Sequence, residues 1–384
     1  MAVTCIDEEY VEMLKKRYSE ATRAERSAIL DDFVKTTGCH RKYAIGLLSG
    51  SRTRSTKPVA RPRSAKYGIE DAQALLQVWE LFDGICSRRL RGAMDVELPR
   101  LYFQAVLPVS PVCFQHLMDI SPATIDRLLK GRRRQFVKSR GYTKPGTLLK
   151  HQIPIRTWAD WTEDRPGFCE MDLVDHSGGL IIPGADHAWT LCFTDVYTAW
   201  TECVAVRNKA QVHVFKAIQR ARARLPFPLL GLDSDNGAEF INDQLLRYCQ
   251  AEHITFTRGR VGRKNDSSYA EQKNWSVVRR AVGYERYDTP EQLKLLNRLY
   301  TTVRYYGNFF LPVMKVVTKS RVGSKVSRTY DKPQTPYARV LASPDVADEC
   351  KDLLQETYGL LDLVDLRRQI VDLQAALYRS LSTL

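Results

Sequence analysis

Residues 228–240 read PLLGLDSDNGAEF, and this stretch decides the fold class. A short apolar run ends in acidic residues and an Asn-Gly turn, which is typical of a buried strand that stops at the edge of a sheet. Helical patterns flank this strand at 209–225 and 238–253, and ITFT at 254–257 indicates another strand. This alternation of strands and helices is typical of an α/β domain.

Segments on both sides extend this domain. FCEMDLVDH at 168–176 and AWTLCFTDVYTAWTECVAV at 188–206 are rich in Val, Trp, Phe, Thr and Tyr, which favours two or three strands. Downstream, the basic segment RGRVGRKNDSS leads into a helix that begins with YAEQKNW. Strands that are grouped first and alternate with helices afterwards predict a mixed sheet.

Four carboxylates fall where this pattern expects buried or strand-end positions: Asp172, Asp233, Asp235 and Glu271. Asp172 lies inside the apolar strand CEMDLV, where an unpaired carboxylate is costly to bury. Each acid alone also fits a structural role, because an acid in a first helical turn stabilises the helix dipole and an Asp before Asn-Gly stabilises a turn.

Taken together, the carboxylates indicate a metal site. Two strand-borne aspartates and one helix-borne glutamate can converge on Mg²⁺, which prefers carboxylate oxygen and water. Without a cation, three converging carboxylates repel one another and at least one takes up a proton. A pair of ions about 3.5–4 Å apart activates an attacking oxygen and stabilises a leaving oxygen in phosphodiester displacement.

The motifs MDLVD at 171–175, LDSDNGAEF at 232–240 and the glutamate of NDSSYAEQKNW resemble the catalytic core of DDE transposases and retroviral-type integrases. There are 62 residues between Asp172 and Asp235 and 35 between Asp235 and Glu271, as in that family. The resemblance covers residues 165–308, and the whole arrangement is similar to a bacterial insertion-sequence transposase.

The resemblance implies an RNase H-like fold and a role for each acid. Asp172 would bind two Mg²⁺ or Mn²⁺ ions, Asp235 one and Glu271 the other. Strand parity does not separate Asp233 from Asp235, and the resemblance selects Asp235 because it precedes Asn-Gly. Asp266 is a second candidate for the third ligand, but it breaks the family spacing. The chain lacks the His-His-Cys-Cys module of retroviral integrases, so no zinc is expected.

The distribution of positive charge favours a nucleic-acid partner. The chain has 58 Lys and Arg against 44 Asp and Glu, a formal net charge of +14. Basic runs occur at 51–66, 131–140, 258–264 and 319–328. A single run is usually a solvated face, but four runs favour binding to a polyanion. None lies on an amphipathic helix with a bulky apolar face, which argues against a membrane partner.

Two segments predict helix-turn-helix DNA-binding modules. Residues 7–49 read as helices, and a glycine-containing turn precedes a helix that starts with two basic residues; plain helical bundles share this outline. Residues 120–134 form the second candidate, with Ser121 as N-cap, Pro122 at the first helical position and arginines past the helix end. The predicted DNA contacts are Arg41, Lys42, Arg132, Arg133, Arg134, Arg263, Lys264, Lys273, Arg279 and Arg280.

We therefore predict a multidomain chain with an α-helical N-terminal region, an α/β RNase H-like catalytic domain with a mixed sheet, a small β-rich module and a C-terminal helix. The predicted boundaries are 1–50 for a helix-turn-helix domain, 51–66 for a basic linker, 67–137 for a second helical DNA-binding domain, 138–164 for a linker, 165–308 for the catalytic core, 309–345 for the β-rich module and 346–384 for the C-terminal helix.

The C-terminal segment carries a leucine repeat that is typical of a short coiled-coil seam, and it favours a homo-oligomer over packing on the chain's own core. The repeat consists of Leu363, Leu366, Ile370, Leu373 and Leu377. The nine cysteines form no C-x-x-C pair and are expected to be reduced. Without a signal sequence or an apolar span, we expect a cytoplasmic bacterial protein that acts on nucleoid or plasmid DNA.

The sequence thus predicts a DNA transposase that binds double-stranded DNA, both the terminal repeats of its element and the target. It would catalyse metal-dependent 3′-end cleavage and strand transfer. Two alternatives remain open at this stage. One is a catalytically inactive DNA-binding regulator derived from a transposase, and the other is an RNase H-like nuclease without strand transfer.

Overall fold

The computed structural model describes most of the chain, and it divides into two compact units, Met1–Lys66 and Tyr67–Leu384. Within the described residues, no helix combines the length and the apolar character needed to cross a membrane. The predicted linkers at 51–66 and 138–164 lie almost entirely outside them. The described residues are 8–51, 66–131, 164–180, 185–235, 237, 239–259, 268–322 and 324–381.

The first unit contains three helices, α1 (Glu8–Glu20), α2 (Arg23–Thr37) and α3 (Arg41–Leu48). Thr22 caps α2 through a capping box with Glu25, and a left-handed glycine ends it, so sequence signals fix both helix ends. Leu14, Leu30, Phe33, Ala44 and Leu48 form the small core. The predicted helix pair with a short turn is present, and its binding to DNA stays a prediction.

A five-stranded mixed sheet lies at the centre of the second unit, as predicted. The strand order is β3-β2-β1-β4-β5, with β1, β2 and β3 antiparallel and β1, β4 and β5 parallel. Each strand coincides with a segment predicted from its apolar pattern. The strands are β1 (Phe168–Asp175), β2 (Trp189–Asp195), β3 (Thr201–Val206), β4 (Gly231–Ser234) and β5 (Thr255–Arg258).

Alternating residues of β1 face two different layers of the protein. Cys169, Met171 and Leu173 belong to a core shared with α8 (Gln211–Arg222) and α9 (Asp243–Ala251). The intervening residues, including two acids, point to the opposite layer because successive side chains in a strand alternate. Glu170 and Asp172 are therefore separated from the apolar core on the other face of β1.

Residues 67–131 do not form the separate domain that the sequence predicted. They fold into four helices whose apolar side chains share one continuous core with the second face of the sheet and with the C-terminal helices. Leu75, Leu90 and Met94 are completely buried there. The helices are α4 (Ile69–Leu81), α5 (Ser87–Phe103), α6 (Pro111–Asp119) and α7 (Pro122–Leu128). As predicted, Ser121 caps α7 and Pro122 occupies its first turn.

The helix that follows β5 is long but irregular. It runs as α10 (Ser268–Lys273), a π-helical segment (Asn274–Arg279) and α11 (Arg280–Val282). A longer helix, α12 (Pro290–Tyr305), follows and packs on β3, and it continues into a second π-helical segment, Tyr306–Phe310.

The C-terminal part contains the predicted β-rich module as a single hairpin, β6 (Val316–Val322) with β7 (Lys325–Tyr330). Three helices follow it instead of the single C-terminal helix of the prediction. They are α13 (Pro336–Ala342), α14 (Asp348–Leu360) and α15 (Leu363–Arg379).

The leucine repeat of α15 packs within its own chain. Leu363, Leu366, Ile370 and Leu377 are buried in the same core as α4 and α12. The coiled-coil interpretation is therefore wrong for this seam, because its apolar side chains are already covered by the chain itself. Self-association through another surface stays a prediction.

Candidate functional site

The pairing of β1 with β4 brings two of the predicted catalytic residues to one sheet edge. The parallel ladder runs from Phe168 opposite Gly231 to Met171 opposite Ser234. One step further along both strands lie Asp172 and Asp235, with side chains on the same face. A separation of 62 residues in sequence therefore becomes neighbouring positions in the sheet.

The structure distinguishes Asp235 from Asp233. Asp233 is 1% exposed, lies opposite Glu170 in the ladder, and its Oδ1 accepts a hydrogen bond of 2.5 Å from the Thr257 hydroxyl. Asp235 follows the last residue of β4 and is exposed, and its Oδ1 accepts a bond of 2.9 Å from the Gly237 amide. Of the two, only Asp235 opens to solvent where a substrate could approach.

Glu271, the third predicted residue, lies on the exposed side of α10. A buried acid, Glu170, anchors the start of this helix. Its Oε2 accepts hydrogen bonds of 2.9 Å from both the Tyr269 and the Ala270 amides. Burial, together with the charge of Asp233, raises the pKa of Glu170 to about 8. Sequence reasoning missed Glu170, although it shares strand parity with Asp172.

The pKa of Asp172 depends on the charges of the other two predicted residues. The pKa of Asp172 is raised to about 7, first by burial and then by the negative charges of Asp235 and Glu271. The pKa of Asp235 is raised as well, chiefly by burial. Like charges disfavour ionisation only at short range, so Asp235 and Glu271 lie within electrostatic reach of Asp172.

Asn274 orients Asp172. Its side-chain amide donates to Asp172 Oδ2 at 2.6 Å, while the Leu173 amide donates to Oδ1 at 2.8 Å. Asn274 lies three residues after Glu271, and residues at this spacing lie on one side of a helix. The same helix therefore carries an acid and an amide directed to the site. Sequence reasoning missed Asn274, although this helical spacing could have identified it.

A second acid, Glu239, accompanies Asp235. Its pKa is raised by burial and by the charge of Asp235, and the positive charge of Lys209 acts on both acids in the opposite direction. Gly237 permits this approach, because a Cβ there would lie 2.7 Å from the Glu239 carboxyl carbon and 2.9 Å from Asp235 Oδ1. Glu239 was also missed, although it lies in the LDSDNGAEF motif.

The donor set suits a hard divalent cation. Asp172, Asp235 and Glu271 offer carboxylate oxygens, which Mg²⁺ and Mn²⁺ prefer, and their mutual repulsion is the unfavourable state that a cation relieves. As placed, however, no three His, Cys, Asp or Glu side chains of the described residues are close enough to hold one ion.

The end of β1 carries an acid and a histidine next to each other. Asp175 is the last residue of β1, and His176 is completely buried, with Nε2 2.7 Å from the Thr190 hydroxyl. Burial lowers the pKa of His176 to about 3, so it is neutral at physiological pH. His176 is a core residue rather than a partner of the carboxylates.

The predicted DNA contacts differ in their exposure and in their partners. Lys42 is exposed at the start of α3, whereas Arg41 binds Asp31 and donates to the Ser27 hydroxyl at 2.8 Å. Asp266 and five of the predicted basic contacts lie outside the described residues; these five are Arg132, Arg133, Arg134, Arg263 and Lys264.

Three predicted DNA contacts on the α10–α11 helix are directed inward. Lys273 donates to the Ala199 carbonyl at 3.3 Å, and burial and the charge of Arg89 lower its pKa to about 8. Arg279 donates to the Asp175 carbonyl at 2.7 Å, and Arg280 forms an ion pair of 2.7 Å with Asp83. Contact of these three residues with DNA stays a prediction.

Comparison with other proteins finds one well-aligned relative. No protein-family model matches the chain. The chain is 40% identical over 335 residues to the uncharacterized protein y4rM of Sinorhizobium fredii, and the alignment covers 86% of this chain and 94% of y4rM. The chain belongs to the y4rM family.

Part of the chain is similar, at low sequence identity, to solved structures of integrase catalytic core domains. The catalytic core domain of BIV integrase is 16% identical with a TM-score of 0.30, covering 45% of this chain and 91% of that chain. The HTLV-2 integrase catalytic core domain in complex with magnesium, in its trimeric form, is 13% identical with a TM-score of 0.29, covering 38% and 86%.

Replacing Glu170 tests its anchoring role. Glu170→Ala leaves two amides at the start of α10 without an acceptor, so we expect the free energy of unfolding to fall by about 2–4 kcal/mol. Glu170→Gln keeps an acceptor oxygen and offers an amide to Asp233. Near pH 7 its free energy of unfolding should therefore fall far less than that of Glu170→Ala. Urea denaturation measures both; equal losses for the two variants would contradict the anchoring role.

Replacing Asp172 tests the repulsion at the site. The folded-state pKa of Asp172, about 7, lies above its ordinary value of 3.8, so the folded protein binds this proton more tightly than the unfolded chain. The stability that this proton contributes is fully present below about pH 4 and is lost progressively as pH rises from there to about 7. Asp172→Asn removes the charge, and Asn274 can turn its amide to present its oxygen.

Without divalent cations, we therefore expect Asp172→Asn to unfold at a higher urea concentration than the wild type at about pH 8, with a gain of about 1–3 kcal/mol. The gain should shrink markedly at about pH 5, because the folded protein then carries the proton on Asp172. A gain of the same size at both pH values, or a loss at about pH 8, would show that Asp172 does not carry a repelled charge.

Proposed function

We propose that this protein is a DNA transposase that cleaves the 3′ ends of its element and joins them to target DNA. The observation that best supports the proposal is the parallel pairing of β1 with β4, which puts Asp172 and Asp235 at adjacent positions of one sheet edge. The charges of Asp235 and Glu271 also help to raise the pKa of Asp172. Acids that only cap turns or helices act separately and do not need to lie near one another. Acids that bind catalytic metal ions must lie near one another, because they contact the same ions.

Asp172, Asp235 and Glu271 would hold two Mg²⁺ or Mn²⁺ ions, which when bound supply an activated attacking oxygen and stabilise the leaving oxygen. The other roles belong to the surrounding residues. Asn274 fixes the orientation of the Asp172 carboxylate, and Glu170 fixes the start of the helix that carries Glu271. Rigid support of this kind keeps ligands in a productive geometry.

The reaction would proceed in two displacements. Water would break the bond between the 3′ oxygen and phosphorus at the element end. The freed 3′-hydroxyl would then attack a phosphorus of the target strand and displace the 3′ oxygen of the adjoining target nucleotide, which leaves as a new 3′-hydroxyl. The net charge of +14 suits a DNA substrate. Binding of the terminal repeats by residues 1–50 and by 67–137, and assembly as a homo-oligomer, belong to the same proposal.

The direct test uses DNA that carries the gene with its natural flanking sequence, incubated with Mg²⁺ or Mn²⁺ and a plasmid target. We expect the wild type to nick at the element ends and to join them to the plasmid. Asp172→Asn and Glu271→Gln should reduce both products by at least about 1000-fold, because loss of a metal ligand removes several kcal/mol of transition-state stabilisation. Gel-shift binding of the same DNA should persist.

Asp243→Asn is the matched control, because it removes an exposed carboxylate at the start of α9, a helix that packs on the sheet face opposite Asp172. Its products should stay within about twofold of the wild type. Nicking by Asp172→Asn at the wild-type rate would exclude this residue from the site. Nicking without joining would favour a nuclease, and binding without nicking would favour a DNA-binding regulator.

A further inference from the structure

A cavity of about 790 Å³ lies beside the candidate site and is distinct from it. It opens between the ends of β2 and β3, the α10 helix and the segment that leads into the β6–β7 hairpin. Tyr269, Gln272 and Lys273 of the catalytic helix line one wall, on the side of the helix away from Asp172. The volume lies within the range typical of small-molecule sites.

The charged side chains that the structure places along this cavity are all basic. Five basic side chains line it, and no Asp or Glu is found among the lining residues that the structure describes. One of the five, Arg304, is paired with the buried Glu202. The five basic residues are Arg89, Lys273, Arg304, Lys315 and Arg328.

Three of these cations donate hydrogen bonds to backbone carbonyls, and Lys315 also lies 4.6 Å from the centre of the Tyr197 ring. Lys315 donates to the Tyr197 carbonyl at 2.7 Å, Lys273 to the Ala199 carbonyl at 3.3 Å, and Arg89 to the Pro312 carbonyl. Within the described part of the chain, none of the three forms an ion pair. Burying cations without a counter-charge is unfavourable, and an anion that enters the cavity offsets this free-energy cost.

The acid that acts on Arg89 is already engaged by other cations. Asp83 acts on Arg89 electrostatically, but its two carboxylate oxygens are engaged by Arg280 at 2.7 Å and Arg367 at 3.0 Å. Arg89 and Lys273 therefore repel each other across the cavity wall. Two cations held close together with free N–H donors match the charge and the donor requirement of a phosphate group.

Apolar and aromatic side chains make up much of the remaining lining, together with uncharged polar groups such as Thr194, Thr201 and Asn308. Val196, Val303, Leu311 and Tyr300 contribute to it, alongside the cations. A ligand that fills the cavity therefore needs an anionic end and an apolar or aromatic body. A nucleotide combines both in a single molecule.

We propose that this cavity binds the phosphate of a nucleotide, with Arg89 and Lys273 as its principal contacts. The nucleotide can belong to a DNA strand or be a free nucleoside phosphate, and both present the same chemistry. The inference does not depend on the proposed transposase activity, because the cavity binds its ligand whether or not the carboxylates cut DNA.

Titration calorimetry with deoxyadenosine monophosphate, and with deoxyadenosine at the same ionic strength, tests the site on the full chain. We expect the monophosphate to bind and the nucleoside not to bind. Arg89→Gln and Lys273→Gln should each weaken binding at least about tenfold, as for the loss of a charge-assisted hydrogen bond. Lys294→Gln removes an exposed charge on α12 outside the cavity and should bind as the wild type does.

Cys86 offers a second readout that does not depend on affinity, because it is exposed and lines the cavity. Saturating monophosphate should slow its alkylation by iodoacetamide, measured by mass spectrometry of its peptide. The Arg89→Gln Lys273→Gln double variant should lose this protection. Equal alkylation rates with and without monophosphate in the wild type, or equal affinity for the monophosphate and the nucleoside, would overturn the proposal.

A single-stranded decanucleotide identifies the source of the phosphate. If the cavity receives a DNA strand, the decanucleotide should also protect Cys86 and compete with the monophosphate. If the ligand is free, only the monophosphate should protect. Either pattern supports a phosphate site, whereas protection by neither ligand contradicts it.

Discussion

Repulsion among carboxylates is the interaction on which the candidate site depends. The parallel register of β1 and β4 places Asp172 and Asp235 at adjacent positions of one sheet face, and the α10 helix adds Glu271. Such an arrangement is unfavourable in the absence of a cation. The surrounding structure maintains it through the bonds of Asn274 to Asp172 and of Glu170 to the start of the helix.

Much of the fold was predictable because it depends on local patterns. The strands of the central sheet are short runs of β-branched and aromatic residues, and their grouping before the helices predicted the mixed sheet. Helix ends also followed local signals, such as the capping box of Thr22 and Glu25 and the Ser121–Pro122 start of α7. The hairpin of β6 and β7 was predicted for the same reason.

The errors arose where long-range packing decides the outcome. The repeat of Leu363 to Leu377 has the spacing of a coiled coil, but that spacing is the same when the partner is a helix of the same chain. Residues 67–131 look like an independent helical domain, yet their apolar side chains share a core with the sheet. Sequence spacing does not reveal which surface covers an apolar stripe.

The same distinction applies to the site. Family spacing identified Asp172, Asp235 and Glu271, whereas their supports depend on contacts across about a hundred residues, such as Glu170 with Ala270. The inward direction of Lys273 and Arg280 was not predictable either, because a basic residue on an amphipathic helix is usually solvated. The contacts of these cations became apparent only once the neighbouring carbonyls and carboxylates were placed.

Anomalous X-ray scattering from crystals soaked in Mn²⁺ tests the central claim most directly. The account predicts manganese peaks bounded by the oxygens of Asp172, Asp235 and Glu271, with the side chains of the last two drawn toward Asp172. Crystals that show no manganese there, at concentrations that saturate binding in solution, would contradict it.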